Sequence, residues 1–137
     1  MQKTLQLTLA IFLFVLYSSD NKLFSQENKK ADEILNIVEI SPEFPGGDEA
    51  RNSFLVNNIV YPRKARKKGV EGIVYATFVV EKDGKISDVR ILKGIGCQCD
   101  EEVIRVIKLM PVWKPGKQNG DAVRVQFNLP VKFTLRD

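Results

Sequence analysis

The sequence predicts one small α+β domain built on an antiparallel sheet of about three strands, and three stretches carry that expectation. Val123, Val125, Phe127, Leu129, Val131, Phe133 and Leu135 alternate without a break against Arg124, Gln126, Asn128, Pro130, Lys132 and Thr134. Period two over 13 residues is a strand about 40 Å long if fully extended, with one face buried and one wet. Residues 73–80 (IVYATFVV) are apolar on both faces and rich in β-branched and aromatic side chains, as in a central strand. Val103, Val106, Ile107 and Met110 fall at i, i+3, i+4 and i+7, the buried stripe of an amphipathic helix.

The chain has 137 residues, room for one domain, and its hydrophobic fraction of 44% is that of a folded protein. Part of that fraction lies near the N-terminus. Lys3 precedes residues 5–17, of which 11 of 13 are apolar, with Gln6 and Thr8 the exceptions. As a helix this run rises about 20 Å, short of the roughly 30 Å hydrocarbon core. A basic start, an apolar centre and then small or polar residues fit a secretory signal over 1–25 better than a membrane span. Cleavage after Ser25 leaves Gln26 first, although Leu23 is an imperfect third residue before the cut. A short uncleaved membrane anchor is the alternative. No cysteine stands near the cut, which disfavours a lipoprotein.

Residues 26–32 (QENKKAD) read as a polar tether, and 33–40 contain Ile34, Leu35, Ile37, Val38 and Ile40. Periodicity leaves that apolar stretch open between a short strand and a helical turn. The tether and apolar segment together span 26–41, and the domain is expected over 42–137. Phe44-Pro45-Gly46-Gly47 precludes regular structure, and a helix follows over 48–58, with Asp48 and Glu49 at its positive end and Ala50, Phe54 and Leu55 on its apolar side. Tyr61-Pro62 opens a second short helix, since proline's missing N–H is harmless at the first helical position; Ala65 faces inward and Gly69 caps the end. Asp83-Gly84 is a hairpin turn joining 73–80 to a returning strand at 86–92. Gly94-Ile95-Gly96 is a loop, Asp100 is expected to cap the third helix, and Pro111 ends it. Trp113 lies in a loop leading to a turn at Asn119-Gly120, where it either covers the core edge or contacts a ligand. Pro130 lacks an N–H, so the last strand runs along a sheet edge over part of its length. Such an edge is either blunted by proline and charge or used to recruit an extended peptide.

Little in the sequence speaks for catalysis. There is no histidine, and Asp83, Asp100, Glu101 and Glu102 are accounted for by a turn and a helix start. No P-loop, dinucleotide fingerprint or zinc motif occurs, so no cofactor or metal is expected. Cys97-Gln98-Cys99 leaves three possibilities open: free thiols, a tight local disulfide, or a redox pair helped by a helix N-terminus. The net charge is +4, or +3 without residues 1–25, which hold Lys3, Lys22 and Asp20. Arg63, Lys64, Arg66, Lys67 and Lys68 concentrate the excess, as a solvated helix face or as steering for an acidic partner. A nucleic-acid site needs a larger basic area with stacking aromatics, so nucleic acid is not an expected partner.

Several motifs in fixed order resemble the TonB C-terminal domain family in its Bacteroidetes-type form. They are Phe44-Pro45-Gly46-Gly47, Tyr61-Pro62-Arg63-Lys64-Ala65, Gly72-Ile73-Val74-Tyr75 and Phe78-Val79-Val80-Glu81-Lys82-Asp83-Gly84. Asp100-Glu101-Glu102, Met110-Pro111-Val112-Trp113-Lys114-Pro115-Gly116-Lys117-Gln118-Asn119-Gly120 and Phe127-Asn128-Leu129-Pro130-Val131-Lys132-Phe133 complete the set, over roughly two thirds of the chain. The resemblance implies a small antiparallel sheet with helices packed on one face. It also implies a periplasmic protein-binding module that pairs with the N-terminal TonB box of outer-membrane receptors by strand addition, in support of energy-dependent transport. Carried onto this chain, the contacting edge is Arg124, Val125, Gln126, Phe127, Asn128, Leu129, Pro130 and Lys132, with Arg66 to Lys68 assisting. A full transducer also engages ExbB–ExbD through a membrane anchor and crosses the periplasm on a long proline-rich spacer. Here only about 17 residues separate the apolar run from the domain, a reach of about 60 Å. The expectation is therefore a periplasmic adaptor that binds, with a homodimer through the same edge, or a purely structural domain, as the competing reading.

Overall fold

A computed structural model describes residues 32–136; the apolar run at 5–17, read as a signal or an anchor, lies outside them. Two segments rich in β-branched residues, β2 (Gly72–Val80) and β3 (Ile86–Lys93), pair antiparallel across the Asp83-Gly84 turn. Gly84 takes φ 83°, which a Cβ would resist, and its N–H donates to the Glu81 carbonyl. On the other side of β2 runs β5 (Asp121–Phe133), antiparallel and without a register shift from Val80↔Val125 to Gly72↔Phe133.

Two further strands raise the count above the three expected from sequence. β4 (Gly116–Gln118) turns back onto β5 through Asn119-Gly120, both at positive φ, and pairs Gly116 with Val123. β1 (Ile34–Leu35) lies parallel to β5 at Arg124 and Val125, so the sheet is mixed, in the order β1-β5-β2-β3. The stretch 33–40 is thus a two-residue strand followed by bends. Such short elements lack the length in which a period shows. Ile40 and Glu43 continue the contact as single bridges to Lys117 and Lys114.

The helices are α1 (Gly47–Asn58), α2 (Arg63–Lys68) and α3 (Cys99–Lys108). Leu55 of α1, Ala65 of α2 and Val103, Val106 and Ile107 of α3 join Val74, Ala76, Phe78, Leu129, Val131 and Phe133 of the sheet in one buried cluster. All three helices therefore cover the same sheet face. Fully burying one such apolar side chain stabilises the fold by about 2 kcal/mol. Gly69 caps α2 in the left-handed conformation, its N–H reaching the Ala65 and Arg66 carbonyls, and Pro62 is the N-cap residue, immediately before the first helical position. Asp100 does not cap α3 as expected: the N-cap is Gln98, with no side-chain bond. Asp100 instead accepts from the N–H groups of Ile95 and Gly96, tying down the loop before the helix.

Candidate functional site

A sheet of this order leaves two outer sides on which backbone groups stay unpaired. β3 bounds one of them, and its residues oppose further pairing. Asp88 stands at φ 49°, the ladder with β2 shifts register twice, and Asp88, Arg90 and Lys93 bring charge along the strand. Bulges and charges are the ordinary protection of an edge. The other side belongs to β5, where β4 takes Asp121, Ala122 and Val123 and β1 takes Arg124 and Val125. From Gln126 onward, no described strand pairs with β5 on that side.

Pro130 settles which backbone groups face outward. It sits opposite Tyr75 in an unbroken ladder, a place proline tolerates only where its nitrogen points away from the neighbouring strand. Alternation then turns the N–H and C=O groups of Gln126, Asn128 and Lys132 the same way, towards the open side. The Phe127 carbonyl agrees with this, because it receives the Thr77 hydroxyl from β2 at 3.2 Å.

The side chains of the eight sequence-read residues separate into two sets. Val125 and Leu129 are buried, and Phe127 packs its ring 5.0 Å from Trp113 and 5.5 Å from Phe78, with the Arg51 guanidinium over it at 5.7 Å. These three therefore serve the core, and their backbone groups turn towards β2. Arg124 points to the opposite face and is held by Glu81, Nε to Oε2 at 2.7 Å and Nη2 to Oε1 at 3.1 Å. Those bonds keep the Glu81 carboxyl below the usual range, against the effect of its partial burial. Gln126 lies over Thr77, donating to its hydroxyl at 3.0 Å, while Asn128, Pro130 and Lys132 are exposed.

Sequence reasoning missed the other wall. After β1 the chain bends away from β5, and a cleft of about 300 Å³ opens between residues 36–42 and β5. Asn36, Ile37, Val38 and Ser41 line it on one side, and Gln126 and Asn128 on the other. The apolar residues at 33–40 were the available signal, but nothing in their pattern says which strand they flank.

Other candidates are accounted for elsewhere. Trp113 is 2% exposed and in edge contact with Phe44, Phe78 and Phe127, so it is a core residue. Cys97 and Cys99 are free thiols, and burial, followed by the nearby Asp100 and Cys97, pushes the Cys99 thiol up. A raised thiol is the opposite of redox activation. The larger open groove of about 460 Å³ beside α3 includes Glu102, but Glu102 already accepts from Arg105 at 2.6 Å and from the Val60 N–H at 2.6 Å. The α2 basic residues are exposed, with Arg66 over the Tyr61 ring at 5.5 Å. No cluster of three or more metal-ligating side chains occurs among the described residues, and none of their helices is long and apolar enough to cross a membrane.

Residues 57–135 match the family model of the Gram-negative bacterial TonB protein C-terminal region. Protein TonB of Pseudomonas aeruginosa is 33% identical over 55 residues, which cover 40% of this chain and 16% of that protein. The chain thus matches about a sixth of that relative's length. Two solution structures are similar: the Pseudomonas aeruginosa TonB C-terminal domain, at 28% identity and TM-score 0.46, over 57% of this chain and 79% of that one, and the Helicobacter pylori TonB C-terminal domain, at 20% identity and TM-score 0.46, over 63% and 78%.

Proposed function

This chain belongs to the Gram-negative bacterial TonB C-terminal family, and on that premise we propose that β5 receives an extended peptide as an additional strand. The peptide is the N-terminal TonB box of a TonB-dependent outer-membrane receptor, bound on the periplasmic side of the envelope in support of energy-dependent transport. One observation carries the reading: beyond Val125 no described strand pairs with the outward side of a long, regular strand, while the β3 edge is bulged and charged. Backbone pairing supplies affinity in this mode of recognition, and flanking side chains supply selectivity. It needs no catalytic group and no cofactor. Engagement of ExbB–ExbD additionally requires that residues 1–25 remain as an anchor.

Titrating receptor N-terminal peptides into the isotopically labelled chain, with backbone amide shifts recorded, tests this directly. Shifts should centre on Gln126, Asn128 and Lys132. Shifts confined elsewhere, or none at millimolar peptide, would defeat the proposal. Asn128→Pro removes one outward donor that the fold itself does not use, so it should weaken the peptide about fivefold to tenfold and leave the melting temperature nearly unchanged. The same edge can also pair with its own copy. A concentration-independent monomer in light scattering opposes that alternative.

A further inference from the structure

The open run of β5 is closed at one end by the chain itself. Ile34 and Leu35 take up Arg124 and Val125, a parallel register that sets the Gln126 N–H against the Leu35 carbonyl, and the following residues then leave the strand, so the first outward groups free of β1 are the Gln126 carbonyl and then the Asn128 N–H. The departing segment is not loose at its far end. Glu39 N–H donates to the Gln118 side chain at 2.9 Å, and Ile40 and Lys117 exchange backbone bonds at 3.1 and 2.8 Å. Between these two attachments stands the cleft of about 300 Å³ against Gln126 and Asn128.

The chemistry of this cleft is specific in what it lacks. None of its lining residues carries a charge, while Asn36, Ser41, Gln126 and Asn128 offer hydrogen-bonding groups. Ile37, on its outer wall, is 89% exposed, leaving apolar area that an occupant would cover. A charged side chain entering here loses water and meets no opposite charge, whereas an uncharged one keeps its hydrogen bonds.

Resting on the strand-addition reading above, we propose that residues 34–38 are the end wall of the peptide groove. This wall stops the incoming strand at Gln126, and so fixes its register against β5. It also selects an uncharged residue for the position of the peptide that meets the cleft. The occupant is therefore an extended peptide whose terminal paired segment is uncharged next to β1, with charge tolerated further along towards Lys132.

The experiment uses the full labelled chain and a synthetic octapeptide of alternating valine and serine, blocked at both ends, followed by copies carrying one glutamate or one lysine at each position in turn. In the natural chain the shift footprint should begin at Gln126. A charge at the cleft position should weaken binding at least tenfold, and charges elsewhere less than threefold. Leu35→Pro deletes a β1 ladder donor. It should extend the footprint to Arg124 and Val125, tighten the uncharged peptide about fivefold and flatten the dependence on charge. Leu35→Gly, which loosens β1 without proline, should move both readouts the same way if Leu35→Pro disturbs folding. A footprint that already includes Arg124 in the natural chain overturns the proposal while leaving strand addition intact. So does a footprint and charge dependence that neither variant alters. Absence of any β5 shift in all three proteins removes strand addition itself, and the end wall with it.

Discussion

Arg124 and Glu81 face each other across neighbouring strands, and their geometry gives a pH dependence of known sign. Both guanidinium bonds fall on the carboxylate, at 2.7 and 3.1 Å, and the Ser87 hydroxyl adds a third at 2.5 Å. These bonds hold the Glu81 carboxyl below its usual value, so the pair stabilises the fold above the unfolded pKa, near 4.5, and loses that effect as pH falls through the lower folded value. The side chains are 28% and 25% exposed, which limits the contribution to about 1 kcal/mol. Arg124→Ala should therefore lower stability by about 1 kcal/mol at pH 7 in urea unfolding, and the gap should narrow markedly by pH 3. A gap of equal size at both values contradicts the assignment. Neither partner was legible as such in the sequence, because 43 residues separate them and only the β2–β5 register brings them together. The thiols make a second residue-scale case. Cys99 is fully buried with its thiol pushed up by burial, and Cys97 is half-buried. A chromogenic disulfide reagent should label the native protein at Cys97 and reach Cys99 only after unfolding. Fast labelling of both thiols in the native state would argue for an activated pair.

At the scale of elements, the hairpin shows how one turn serves two functions. Gly84 holds φ 83°, and a Cβ there would lie 1.9 Å from the Trp113 carbonyl oxygen. The Trp113 N–H in turn donates to the Gly84 carbonyl at 2.9 Å, so the turn anchors the loop that carries the central aromatic residue. Gly84→Ala combines an unfavourable φ with a clash against backbone, and should destabilise by about 3 kcal/mol or more in thermal or urea unfolding. An effect below about 1 kcal/mol would mean that the loop yields freely. The turn was legible in the sequence from Asp83-Gly84, but its docking on Trp113 was not, since no local pattern encodes a contact between distant loops. The same division runs through the other elements. The 13-residue alternation of β5 and the apolar stripe of α3 are long enough to announce themselves. The two residues of β1 and three of β4 are strands only because β5 is beside them. Asp100 shows the limit for caps: an acidic residue at a helix start has two uses, and here it bonds backward to Ile95 and Gly96. The candidate edge was therefore readable as a strand with a proline, while its closure by β1 was not.

For the whole molecule, the consequence lies in where the folded unit begins. Residues 34–136 of the described chain belong to one compact unit, so the segment 34–41, read from sequence as a short apolar stretch ahead of the domain, adds structure to the sheet. Its attachment is more than the β1 ladder. Ile40 and Lys117 bond to each other in both directions, and Gly116 has no Cβ where one would meet Val125, the Ile40 carbonyl and Pro42 at 2.6 to 3.2 Å. Close approach at Gly116 thus lets the segment lie directly on β4. Each backbone bond contributes about 1 kcal/mol net, offset in part by the ordering of the segment. A piece spanning 42–136 should consequently unfold about 2 kcal/mol more easily than one spanning 32–136, a drop of roughly 10 °C in melting temperature for a domain of this size. Calorimetry of the two pieces provides the comparison. The shorter piece should also expose the Arg124 and Val125 backbone, with faster amide exchange at whichever of the two donates towards β1. Coincident melting curves would reduce 34–41 to a passive lead-in; separated curves would make the same residues that border the groove a part of the domain's own stability, so that a peptide displacing β1 does so against the fold.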